Sequence, residues 1–94
     1  MSFVKYVAFI AKEGKRQELL DLVLEIRDVV LANEPGTKLF HVVVDPENGE
    51  IITWQHYENE QALEDRHNGK THAIWVEKKG DLVGSFVSRK LPFA

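Results

Sequence analysis

Cysteine is absent from the chain. Its absence removes disulfides, thiolate nucleophiles and cysteine-ligated metals together, and suits a reducing compartment. Charge of one sign is nowhere concentrated: 12 Lys and Arg stand against 15 Asp and Glu, a net charge of -3, with both signs mixed along the chain. Phosphate binding draws on a concentrated basic patch. The nearest groupings, Lys12 with Lys15 and Arg16, Lys78 with Lys79, and Arg89 with Lys90, read as solvated faces, so no nucleic-acid partner is expected. No apolar run approaches the roughly 18 residues that cross a bilayer, so no membrane partner is expected either. The N-terminus runs straight into a β-like stretch, without the basic-then-apolar order of a signal peptide, and the expected location is cytoplasmic. HExxH, GxGxxG, the P-loop and GxSxG are all missing. His67 and His72 stand five residues apart, a zinc-finger spacing, but without a cysteine pair, and no metal is expected.

What is present reads as one small domain over residues 1–94 with a thin core, of the size that often gains stability from an oligomer. Phe3 to Ala11 is apolar except for Lys5. Phe3, Val7 and Phe9 alternate with Val4, Tyr6, Ala8 and Ile10, so this strand has two apolar faces. One helical layer covers one face, and the other face wants a partner, most simply a second copy of the sheet. Lys12-Glu13-Gly14 is a turn. From Lys15 the period becomes helical: Leu19, Val23, Ile26 and Val30 form a stripe, widened by Leu20, Leu24 and Leu31. Pro35 ends this helix near Asn33, and Gly36 supplies freedom for a tight turn.

Phe40 to Val44 and Ile51 to Tyr57 are strands joined by a hairpin in which Asn48-Gly49 tolerates positive φ. Asn59 caps a helix running to about His67, Asn68-Gly69 stops it, and Thr71 caps a further short helix. Gly84 to Leu91 is the last strand, followed by an apolar tail. The order β-α-β-β-α-α-β, with the two late helical pieces as one crossover layer, predicts an α+β, ferredoxin-like, four-stranded antiparallel sheet with helices on one face.

Polar and aromatic groups collect late in the chain: His41, Trp54, His56 and Tyr57 on the central strands, then Arg66, His67, Asn68, His72 and Trp75. An aromatic-walled pocket with a few hydrogen-bonding groups suits a flat organic ligand. Each residue also has a plainer reading. His67 stands at a helix end, where imidazolium caps free carbonyls. His72 is read as exposed, Trp54 and Trp75 as core, and Tyr57 as a buried structural phenol. None of Ser2, Thr37, Thr53, Ser85 and Ser88 sits in an activating context for a nucleophile.

Glu34-Pro35-Gly36-Thr37 followed by a hydrophobic strand, then an aromatic-rich strand, then Asn59-Glu60-Gln61-Ala62-Leu63 with His67 and His72 beyond, resembles the antibiotic biosynthesis monooxygenase (ABM) domain family of the dimeric α+β barrel superfamily. The resemblance covers nearly the whole chain. It implies sheets paired face to face in a homodimer, and an oxidoreductase that oxidises aromatic, phenolic or quinol-type small molecules with dioxygen and no cofactor. It implies His67 as proton acceptor, Trp54, Tyr57 and Trp75 as walls, and Asn68 and His72 as hydrogen-bond donors to substrate. The sequence departs from the family at Gln55-His56-Tyr57, where many members have Glu-x-Trp or Glu-x-Tyr. The first strand lacks the Asn of the haem-cleaving branch. Two other functions stay open: a non-catalytic dimeric ligand-binding or stress-associated module, and a sugar-phosphate isomerase with Arg66 and Lys70 as anion partners.

Overall fold

Strand β1 (Phe3–Ala11) is the centre of the sheet, and its two apolar sets do face opposite ways. The computed structural model describes residues 1–94. Beyond β1 come α1 (Arg16–Asn33), β2 (Thr37–Val44), β3 (Ile51–Tyr57), α2 (Glu60–His67), α3 (Lys70–Leu82) and β4 (Val83–Pro92). The strands form one antiparallel sheet in the order β2-β3-β1-β4, the ferredoxin-like arrangement. Directly paired residues share a face. Phe3, Val7 and Phe9 therefore lie with Tyr57, Thr53 and Ile51 on the inner face, and Val4, Tyr6 and Ala8 with His56, Trp54 and Ile52 on the outer one.

The helices cover the inner face. Leu19, Val23, Ile26 and Val30 of α1 pack with Val7, Phe9, Phe40 and Ile51 in the main core. The helical stripe is narrower and slightly rotated from the expected one. Leu22 joins the core, whereas Leu31 is exposed, because it lies on the solvent side of the last turn before Glu34 leaves helical geometry.

The β2–β3 hairpin closes with Gly49 at φ +73, while Asn48 keeps a negative φ and accepts from the Glu50 amide. The Asn59 carboxamide caps α2 by accepting from the Ala62 amide at 2.9 Å. Thr71 does not cap α3. Gly69 takes that position, and Thr71 lies buried in the first turn.

Gly36 also differs from expectation. Its φ is an ordinary negative one, so the turn needs no left-handed residue. A Cβ on Gly36 would instead stand 2.6 Å from the Ala62 Cβ, so glycine is required because α2 is seated directly on the turn. Gly36→Ala is expected to cost about 1–3 kcal/mol by overpacking. Denaturant titration would measure it, and pairing it with Ala62→Gly should restore part of the loss. An unchanged midpoint in the single variant would show that α2 yields freely.

The outer face carries no helix. Ile10, Val43, Trp54, Val87 and Phe93 are 41% to 56% exposed on or beside it. The tail lies against this face, with the Phe93 ring edge-on to His56 at 5.0 Å. No helix is long and apolar enough to cross a membrane.

Candidate functional site

Between the inner face of the sheet and the three helices lies a cavity of about 710 Å³. Its deep walls are apolar, from Val7, Val23, Ile26 and Phe40, and its aromatic side is built by Phe9 and Trp75. The rings of these two meet edge to face at 5.2 Å, and Phe86 of β4 stands 6.3 Å from Phe9. The sequence produces this wall because Phe9 and Phe86 are direct partners across β1 and β4, while Trp75 on α3 packs against the same core.

β3 contributes a polar row to the same cavity. Thr53, Gln55 and Tyr57 alternate along the strand and so share its inner face, and all three are buried. The Tyr57 hydroxyl donates to Gln55 Oε1, and Gln55 Nε2 donates to Thr53 Oγ1 at 2.9 Å. Burial pushes the Tyr57 phenol up to about 12, against the pull of the nearby Arg66 cation. Tyr57 is therefore a fixed neutral donor whose proton is already committed to Gln55.

The helical corner between α2 and α3 brings two imidazoles into the cavity wall. The His67 and His72 rings lie 4.8 Å apart. Partial burial lowers the His67 pKa, and the positive charges of Lys5 and Arg66 lower it further. His72 is lowered by burial, then by Arg66, His67 and Lys79. Both rings are thus biased to the neutral form, in which one nitrogen is a proton acceptor. His67 lines the cavity and caps nothing; the chain stop is made by the Asn68 amide, which donates to the Glu64 carbonyl.

Of the residues expected at the site, His67, His72, Tyr57 and Trp75 line the cavity, whereas Trp54 and Asn68 do not. Trp54 is corrected by strand parity. It lies between Thr53 and Gln55, so its side chain faces outward, paired with Tyr6 and His41. Asn68 sits at the C-cap of α2, exposed at the turn. Arg66 lines the cavity and Lys70 does not. Lys5, Phe9, Thr53 and Gln55 had not been expected at the site. The period of two supplies the missing signal, since Lys5 shares a face with Val7 and Phe9, and Gln55 with Tyr57. No group of three or more His, Asp or Glu side chains converges to hold a metal ion.

Among curated proteins none matches this chain. Solved structures match it widely. Rv0793 from Mycobacterium tuberculosis superposes with a TM-score of 0.92 at 15% identity, covering 100% of this chain and 96% of that one. PA3566 from Pseudomonas aeruginosa gives 0.91 at 13% identity, covering 99% and 94%. SO0527 from Shewanella oneidensis gives 0.85 at 18%, covering 95% and 87%. At these identities the likeness speaks for the fold alone. The sequence profile described as antibiotic biosynthesis monooxygenase matches residues 2–78, most of the sheet and all of α1 and α2, and the chain belongs to that family.

Proposed function

We propose that the cavity binds a planar aromatic, phenolic or quinol-type molecule and promotes its oxygenation by dioxygen without a prosthetic group. The observation that carries this reading is the placing of a neutral-biased imidazole pair at the rim of an aromatic-walled cavity large enough for a fused-ring ligand. His67 accepts the substrate proton whose loss leaves the anion. The substrate anion passes one electron to dioxygen, and the resulting radical and superoxide combine at carbon. The hydroperoxide then loses water. For an activated methylene the balance is CH2 plus O2 to C=O plus H2O, so all four electrons come from the substrate. The deep apolar walls and the Trp75–Phe9 wall hold the ring. Tyr57 does not deliver a proton, because its O–H bonds Gln55.

Oxygen uptake by metal-free protein with anthrone-like phenols and hydroquinones tests the reading. His67→Ala should lower the rate about a hundredfold or more if the base is general, with the fold intact. An unchanged rate would remove His67 from the mechanism. The acid limb of the rate profile is expected below the ordinary imidazole value of 6.5. The reason is that the neutral base persists until pH falls through the lowered pKa; the groups facing it are Lys5 on β1, Arg66 beside it on α2, and His72 on α3. A midpoint at or above 6.5 would contradict this placement.

We also propose that the outer face of the sheet is covered by a second copy of the chain, closing a dimeric α+β barrel. The apolar residues left open there, with no helix over them, support it. The solvent exposure of His67 favours a second reading, in which the same pocket holds its ligand without turnover. Ligand retained through purification, with no oxygen uptake in its presence, would favour that reading.

A further inference from the structure

The charge lining the cavity is unlike the charge of the chain. Acids outnumber bases overall, 15 to 12, yet the cavity wall carries Lys5, Arg66, Lys79, His67 and His72 and not one Asp or Glu. Elsewhere four bases find acidic partners: Lys15 with Glu18, Arg27 with Asp28, Lys38 with Glu58, and Lys90 with Glu60. Lys90 is the direct cross-strand neighbour of Lys5, and it turns to Glu60. Lys5 has neither an ion pair nor a hydrogen bond, although it is only partly exposed.

Arg66 is the more telling group. It is 7% exposed, its Nη1 lies at the long distance of 3.5 Å from Thr71 Oγ1, the Tyr57 hydroxyl is its other polar neighbour, and its Nε is buried without an acceptor. A buried guanidinium with an unpartnered donor is costly, and native interiors rarely leave one so. Glu34 is the acid whose charge is felt most nearby, but it lies outside ion-pair distance and one of its own oxygens is buried without a partner. Thr53 adds a further donor. Its oxygen accepts from Gln55, which leaves its own proton to point elsewhere.

We infer that the ligand is an aromatic acid, with its ring against the wall that Phe9 and Trp75 form and its carboxylate toward Arg66 and Lys5. This rests on the proposed reading of the cavity as an aromatic pocket and names the charge of what it takes. A carboxylate supplies the planar pair of acceptors that a guanidinium fork fits, and an apolar surround strengthens the pairing. The positive charges that add to burial in biasing His67 and His72 toward neutrality are the same charges that draw the anion in.

Calorimetric titration of the full chain with 2-naphthoate and with the uncharged 2-naphthamide tests the inference. The acid is expected to bind at least about tenfold tighter, which is one charged hydrogen bond's difference, and its advantage should shrink as salt rises. Lys5→Met should weaken the acid severalfold and leave the amide unchanged. Lys5 is chosen over Arg66 because removing a buried guanidinium risks the fold, and Lys79→Met serves as a second variant. Equal affinity for acid and amide would overturn the charge assignment and leave the aromatic pocket standing. Binding of neither would overturn both. A preference that survives loss of Lys5 and Lys79 and ignores salt would also overturn it.

Discussion

Ile51→Ala is expected to lower the unfolding free energy by about 2–5 kcal/mol, as deletion of a fully buried branched side chain does. Ile51 has no exposed surface. It opens β3, pairs with Phe9 of β1 and Val44 of β2, and packs in the same cluster as Leu19, Val23 and Val30 of α1. The strand pairs hold its backbone on both sides, so the site collapses poorly and most of the vacated volume remains. In a domain of this length each kcal/mol moves the melting midpoint by about 4–8 °C. Urea titration with an unchanged m-value, together with a calorimetric melt, measures the loss. A loss under about 1 kcal/mol, the level of an ordinary surface change, would place the centre of the core elsewhere.

In the proposed dimer, Val87→Asp is expected to break the association and leave a monomer at micromolar concentration. Val87 pairs with Ala8 on the outer face and is 56% exposed. In a two-fold interface the substitution enters twice, and each carboxylate must be buried without a partner. Val76→Asp is the control, with 52% exposure on α3, on the other side of the sheet. It carries the same charge and should leave the mass unchanged. Light scattering reads both. A monomeric parent protein, or a dimer that tolerates Val87→Asp, would show that the outer face is not the contact.

The fold was legible because it is written in periods. The two apolar sets of β1 announced a strand with two apolar faces, and the spacing from Leu19 to Val30 announced the helix that covers one of them. Both are local patterns that tertiary packing then keeps. The site was legible in part. His67, His72, Tyr57 and Trp75 were found by residue type, and the crossover brings them together. Trp54 was misplaced because aromatic character was weighed above parity; its neighbours Thr53 and Gln55 claim the inner face. Arg66 was legible in the polar cluster and as an anion partner, whereas Lys5 was not legible as a site residue, since its meaning lies in what it does not touch. A missing ion pair is a property of three-dimensional surroundings. Gly36 was right in identity and wrong in cause. A turn glycine and a packing glycine look alike until the helix above is placed.

The position of β1 between β3 and β4 also sets an order of assembly. The β2–β3 hairpin is closed by a short loop, whereas β1 must meet strands from the middle and the far end of the chain, with Phe3 opposite Tyr57 on one side and Pro92 on the other. Contacts between distant segments form late, because the loop entropy comes due before the contact repays it. Phe86 and Ser88 of β4 are part of the cavity wall. A nascent chain that has released its hairpin and α1 but not β4 therefore has a core without a finished pocket. Retention of an aromatic ligand during synthesis would report that the last strand has docked.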